Sequence, residues 1–197
     1  MLSLLVGEES GSHPGKRISA VPASLKVLKS RTIYKGRVVQ LRVDEVLEPG
    51  GVRATRELVC HPGSVVIIPI LPDGRVVLVR QYRYAARQAL WELVAGGLEP
   101  RETPGKAAHR ELAEETGYRA RQVKRLFDFF PSPGILNERM FLMEARGLTR
   151  GEVRPDSDER LKVGLFTRKQ LARMLHSHRI RDAKTLVALL WYLCRKH

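Results

Sequence analysis

Cysteine is scarce in this 197-residue chain: Cys60 and Cys194 stand far apart, with no metal-ligand spacing between them. A disulfide framework and a thiolate metal site are therefore not expected, and both residues read as structural thiols of a reducing compartment. No apolar run approaches the length of a membrane span. Residues 2–6 are too short for a signal core, and no basic segment precedes them, so a cytoplasmic protein is expected. There is no internal repeat, and no low-complexity tract beyond the first residues. Basic runs never exceed two residues, although the net charge is +14 and arginine outnumbers lysine 25 to 10. Scattered positive charge steers anionic ligands, nucleotides among them. It does not form the concentrated stripe of a nucleic-acid binder, and no zinc module or recognition helix is evident.

What the chain does have is a hydrophobic fraction of 43%, enough for one medium domain with a small appendage. Residues 1–17 read as a disordered tail, residues 18–60 as a small antiparallel sheet and residues 61–197 as the main domain. In the sheet, strands are expected at Leu25–Tyr34, Arg37–Leu47 and Val52–Cys60, with a turn at Glu48-Pro49-Gly50-Gly51. Three short strands bury little alone, so this sheet must pack on the main domain or on a second subunit. In the main domain, strands are expected at Val65–Leu71, Arg75–Tyr84, Trp91–Ala95, Val123–Phe130, Arg139–Ala145 and Leu161–Phe166. Helices are expected at about Arg168–Ser177 and Asp182–Cys194. Mixed strands with helices on both faces give an α/β sandwich of the α+β kind.

The chemistry concentrates between Gly96 and Tyr118. Thr103 is a helix N-cap, Pro104 suits the first helical position, and Gly117 can take the left-handed conformation that ends a helix. Between them Glu111, Glu114 and Glu115 share one sector, while Ala107, Ala108 and Leu112 face the core. Like charges at this spacing destabilise a bare helix by roughly 0.2–0.5 kcal/mol per pair. Pairing with Arg110 offsets part of that, and a hard divalent cation such as Mg²⁺ would offset more. Upstream, Trp91-Glu92-Leu93-Val94-Ala95 runs into Gly96-Gly97, glycines that permit close backbone approach.

The spacing is Gly96, five residues, Glu102, seven residues, then Arg110-Glu111-Leu112-Ala113-Glu114-Glu115-Thr116-Gly117-Tyr118. This resembles the Nudix box, the signature of hydrolases that split a nucleoside diphosphate linked to another group. Every fixed polar or glycine position is filled, and the closing aliphatic slot holds Tyr118. The resemblance implies a Nudix-type α/β/α sandwich with a mixed sheet. It also implies Mg²⁺, with Mn²⁺ as a substitute, held by Glu111, Glu114, Glu115 and the Ala95 carbonyl. Arg110 would orient the glutamates, and Glu102 would set the helix and its ligands.

Three stretches resemble the ADP-ribose pyrophosphatase branch. Arg56-Glu57 leads through Leu58-Val59-Cys60 into His61-Pro62-Gly63. Arg80-Gln81-Tyr82-Arg83 closes the second core strand, where the branch carries an arginine that meets phosphate. Ser132-Pro133-Gly134 follows with Glu138, and Pro133 lies sixteen residues past Gly117. The branch implies a nucleotide-sugar substrate bound by Arg83, Arg56, Glu57, Glu92, Gly97 and Pro133, and a homodimer built through the N-terminal strands. Tyr34, the only aromatic of those strands, is the candidate for stacking on adenine, and Trp91 reads as core. The branch's general base is a glutamate on a loop beyond the box. Here that loop is expected at about Gly147–Arg160, with Glu159 favoured, Asp158 and Asp156 behind it, and Glu115 the alternative. Other nucleotide sugars, such as GDP-mannose or an ADP-hexose, need the same machinery. A non-catalytic binding module would usually have lost box glutamates.

Overall fold

The computed structural model describes residues 25–151 and 161–195. Strands β1 (Lys26–Lys35), β2 (Gln40–Leu47) and β3 (Arg53–Cys60) form an antiparallel sheet in that order. Strands β4 (Ser64–Pro69), β5 (Val76–Arg83), β6 (Gln88–Glu92) and β7 (Val94–Gly97) follow. Next come helix α1 (Pro104–Thr116), strands β8 (Tyr118–Phe129), β9 (Met140–Arg150) and β10 (Lys162–Phe166), and helices α2 (Arg168–His176) and α3 (Ala183–Cys194). The body holds two sheets, ordered β7-β4-β9-β8 and β10-β5-β6. The β4–β9 pair is parallel and the other named pairs are antiparallel.

The period-2 geometry of the central strands explains the layering. On β4, Val65 and Ile67 join the cluster under α1, whose Ala107, Ala108 and Leu112 are fully buried. Val66 and Ile68 point the other way, into the cluster with Leu171 and Met174 of α2 and Ala188 and Leu189 of α3. Strand β5 alternates likewise, with Val77 and Val79 on the α1 side and Val76 and Leu78 on the other. Strands buried on both faces read as continuous apolar runs, which is how these two stand in the sequence. Truncating Leu112 to alanine would cost about 2–5 kcal/mol.

Helix α1 begins and ends as its residues dictate. The Thr103 hydroxyl accepts from the Lys106 N–H, Pro104 opens the helix, and Gly117 at φ 71° donates to the Ala113 carbonyl. Elsewhere the strands depart from the apolar pattern. A turn with Gly36 N–H on the Val39 carbonyl delays β2 to Gln40. Strand β8 starts at Tyr118, directly after the helix, and β9 runs on to Arg150. These additions pair as an arginine-rich ribbon whose Tyr118, Ala120 and Leu148 pack inward while the arginines around them are exposed. The single strand expected at Trp91–Ala95 is two, because the chain changes sheets at Leu93. There the Leu93 N–H leaves the ladder for the Thr185 hydroxyl at 2.9 Å.

The small sheet meets the body through the end of β3. Val59 donates to the Ile135 carbonyl and accepts from the Asn137 N–H, and the His61 N–H reaches the Asn137 side chain. All ten residues of β1 are exposed.

Candidate active site

The site is built where the N-terminal end of β4 lies beside β7 and the start of α1. The β4–β7 register sets Ser64 opposite Gly97 and Val66 opposite Ala95. This lays the Gly96 backbone against the helix. A Cβ placed on Gly96 would overlap the Glu111 carboxylate, so glycine is required for the approach. Gly97 carries no such constraint, but its carbonyl accepts from Arg110 at 3.0 Å.

Arg110 organises the box. Its guanidinium donates to Glu102 at 3.0 and 2.8 Å, to Glu111 at 2.6 Å and to Glu114 at 3.1 Å. Hydrogen bonding to Glu102 is the largest of the influences that raise its pKa well above the ordinary value. The same bond, in turn, holds the Glu102 carboxyl below the usual carboxylate range. Glu102 also accepts from the Glu99 N–H, tying the loop to the helix. Glu115 lies one turn beyond Glu111, at 5% exposure, and its charge is felt at Arg83.

A second centre forms around Glu92. Arg83, at the end of β5, donates to both oxygens of Glu92 at 2.9 and 2.8 Å. Glu92 is 1% exposed and also accepts from the Lys184 ammonium of α3. Burial alone would raise the Glu92 pKa. The Arg83 hydrogen bonds and the Lys184 charge outweigh it, so the carboxyl stays below its ordinary range. Hydrogen bonding to Glu92, more than any other contact, raises Arg83.

A cavity of about 250 Å³ opens beside Arg83 and the Gly96-Gly97 backbone. Arg83, Ala95, Gly96 and Gly97 line it together with His61, Ser64, Glu138, Met140 and Lys184. The Ser64 hydroxyl donates to Glu138 at 2.7 Å, and His61 Nδ1 accepts from the Gly63 N–H. A larger cavity, about 380 Å³, lies at the other end of β4, near Ile70. Its Arg75 is engaged by Asp73 and its Arg146 by Glu144.

The sequence-predicted residues therefore divide. Arg83, Ala95 and Gly97 line this pocket. Glu92 bonds Arg83 and Lys184 from behind it. Glu111 and Arg110 meet Gly96 and Gly97, Arg110 holds Glu102 and Glu114, and Glu115 is felt at Arg83. Arg56 does not line it: its guanidinium is held by Glu48 and the Thr55 carbonyl. Glu57, Tyr34 and Pro133 are exposed and also lie outside the lining. Trp91 is core, packed edge-on to Phe166 at 5.0 Å. Glu159, Asp158 and Asp156 lie outside the described residues, and Gly147–Arg150, expected in their loop, belong to β9. Lys184 and Ser64 escaped the sequence reading. The signal for Lys184 was slight, an Asp182-Ala183-Lys184-Thr185 run at a helix start.

Among the described residues, no group of three or more His, Cys, Asp or Glu side chains converges on a point as cation ligands would. Arg110 spans Glu111 and Glu114 instead. The donor chemistry still suits a hard cation: oxygen ligands from one helix face, beside a backbone carbonyl on a glycine turn.

Residues 61–189 match the NUDIX domain family, and residues 25–59 match the nucleoside diphosphate sugar hydrolase N-terminal domain. The chain is 39% identical over 166 residues to a methanol dehydrogenase activator of Bacillus methanolicus. It is 34% identical over 166 residues to an ADP-ribose pyrophosphatase of Bacillus subtilis strain 168. Each match covers 83% of this chain and 90% of the relative. The fold is similar to that of an ADP compounds hydrolase crystal structure, with a TM-score of 0.76 over 86% of this chain and 92% of that one. At 23% identity that likeness is one of fold.

Proposed function

Because the chain belongs to the Nudix hydrolase family, we propose that it hydrolyses the diphosphate of ADP-ribose to AMP and ribose 5-phosphate. The observation that carries this reading is the pocket lined by the Arg83 guanidinium and the Ala95-Gly96-Gly97 backbone, against which the box packs through Glu111 at Gly96 and Arg110 at the Gly97 carbonyl. A guanidinium suits bidentate binding of a phosphoryl group, and oxygen-rich walls suit its counter-cation. The Bacillus subtilis relative, named an ADP-ribose pyrophosphatase, supports the choice of substrate.

Nudix hydrolases generally work with a divalent metal. In this reading Glu111, Glu115 and the Ala95 carbonyl would hold Mg²⁺, with Mn²⁺ as substitute, and Glu114 would be available to a second ion. Bound there, it supplies Lewis-acid neutralisation of the diphosphate charge. The chain's own residues do the rest. Arg110 and Glu102 set the carboxylates in place. Arg83 binds phosphate, with its head oriented by Glu92. Glu159 takes the proton of the attacking water, with Asp158, Asp156 and Glu115 as the alternatives. Pro133, outside the pocket lining, would contribute to substrate binding from the loop after β8.

The exposed β1 strand, with Val27, Ile33 and Tyr34 uncovered, packs on a second copy of the chain in this reading. A homodimer would bring Arg56, Glu57 and Tyr34 within reach of a partner's nucleotide. No helix among the described residues is long and apolar enough to cross a membrane, and both cysteines are free thiols; we place the protein in the cytoplasm. The match of residues 25–59 to a nucleoside diphosphate sugar hydrolase domain accommodates ADP-ribose and equally a second reading, in which the preferred substrate is a nucleotide hexose.

The deciding experiment is a Mg²⁺-dependent panel of ADP-ribose, GDP-mannose, ADP-glucose and NADH, compared by kcat/KM, with Glu115→Gln alongside. Dominant ADP-ribose turnover that disappears in the variant supports the proposal. Preference for a hexose substrate moves the function and keeps the mechanism, whereas inactivity on all four overturns both. Glu159→Gln should cost on the order of 10²–10⁴ in kcat if that residue is the base.

A further inference from the structure

Lys184 lines the pocket, yet its ammonium does not stand free in it. It is bonded to Glu92 and, at 2.8 Å, to Asp182. The residues around it are fixed from two directions. Asp182 caps α3 by accepting from the Thr185 N–H at 3.0 Å. The Thr185 hydroxyl donates to Asp182 at 2.6 Å and accepts from the Leu93 N–H at 2.9 Å. The first turn of α3 is thus stapled to the chain one residue past Glu92. Leu93 and Thr185 are fully buried, and Lys184 is 9% exposed. On the other side, Glu92 offers both oxygens to Arg83.

A buried carboxylate flanked by two cations is a rigid relay, because moving either cation exposes an uncompensated charge. The bidentate fork of Arg83 removes rotational freedom from its head, and Lys184 keeps the carboxylate that receives the fork ionised and in place. The groups that face this relay are Arg83 on β5, Lys184 and Asp182 on α3, and Glu115 on α1. We infer that Lys184 is a positioning residue for diphosphate binding, acting through Glu92 to hold the Arg83 guanidinium at the pocket rather than touching phosphate itself. This deepens the proposed function and rests on its assignment of Arg83 to phosphate.

The test is a double-mutant cycle read by calorimetry with ADP as the probe, joined to steady-state kinetics with ADP-ribose. Lys184→Met keeps the apolar stem and removes the charge. It should weaken ADP about tenfold and raise KM by a similar factor while kcat changes less than about twofold, the pattern of a lost binding contact shared by ground and transition states. In the Arg83→Ala background the same substitution should have no further effect, since the group it positions is gone. Lys184→Gln, whose amide can still donate to Glu92, is the second variant in case the first does not fold, with an expected loss of about threefold.

Wild-type ADP affinity in the Lys184 variants overturns the inference. So does an equal, additive loss in the Arg83→Ala background, which would put Lys184 on the phosphate directly. A fall in kcat at unchanged KM also overturns it. If Arg83→Ala alone leaves ADP affinity unchanged, the failure lies in the phosphate assignment of Arg83 instead. Because ADP binding needs no turnover, a wrong substrate choice would not obscure the outcome.

Discussion

Two arginine–glutamate centres meet the pocket, one through its Arg83 and Lys184 and the other through the backbone of Gly96 and Gly97, and they differ in charge balance. One guanidinium, Arg110, faces Glu102, Glu111 and Glu114, with Glu99 at 3.9 Å. Around Glu92, two cations meet two carboxylates: Arg83 and Lys184 against Glu92 and Asp182. The first centre leaves surplus negative charge on a half-open helix face, and so has capacity to take up a cation. The second is neutral and closes around Glu92 at 1% exposure, with the Arg83 head 41% exposed. A balanced buried set repays its desolvation only through fixed geometry, so it holds a shape and does not exchange partners. The site needs both kinds, one to receive charge and one to aim it.

The largest expected effect tests the rigid centre. Glu92→Gln leaves Lys184 and Arg83 without their shared counter-charge, and should cost about 3–5 kcal/mol of stability in urea unfolding. A loss below about 1 kcal/mol would break the contrast, showing that the pair relaxes into water. The same residue shapes the acid limb. Its folded pKa lies below the ordinary value of 4.5, as do those of Glu102 and Glu144. The unfolded chain therefore takes up protons first as pH drops. The stability these groups contribute is complete above 4.5 and is lost as pH falls through their folded values. Glu92→Gln should flatten that slope; an unchanged acid limb would mean that its depression adds nothing.

Glu111→Gln tests the other side of the comparison. Losing one cation-holding carboxylate should lower kcat on the order of 10²–10³. Stability should move by less than about 0.5 kcal/mol, because a lost Arg110 contact is offset by relief of like-charge crowding along the helix. If Glu111→Gln destabilised as much as Glu92→Gln, the two centres would not differ in kind. Glu102→Gln is expected in between, with activity down about 10–100-fold through slackened Arg110. Metal titration of the variant would show a weaker apparent affinity, and an unchanged titration would remove Glu102 from the positioning role.

How much of this could be read in the sequence follows from the same contrast. The helix from Pro104 to Thr116 was legible because its cap, its first proline, its terminal glycine and its buried Ala107, Ala108 and Leu112 all sit within fifteen residues. Arg110, Glu111 and Glu114 come from that same short span, and Glu102 stands one residue before it. The second centre joins residues 92 positions apart, and nothing local in Lys184 marks its partner. Only the packing of α3 on the sheet decides it. The break between β6 and β7 was hidden for the same reason, since the Leu93 N–H is taken by Thr185 from α3. The ribbon of β8 and β9 was missed because its inward face is short, Tyr118 and Ala120 on one strand and Leu148 on the other, set among arginines and following the helix-ending Gly117 directly.

The smallest effect bears on the small sheet, where Arg56 pairs with Glu48 on the surface. An exposed pair of this kind contributes about 0–1 kcal/mol, so Arg56→Ala should change stability by no more than that. Its kinetic effect is the informative part. Within one chain the guanidinium does not line the pocket, and KM for ADP-ribose should then stay as it is. If a second copy lays its sheet across the pocket, Arg56→Ala should raise KM several-fold and make the loss depend on protein concentration in the range where sedimentation shows dissociation. A raised KM in a strictly monomeric sample would require β3 to turn its Arg56 face toward the pocket, against the Asp44–Arg56 register it now keeps with β2.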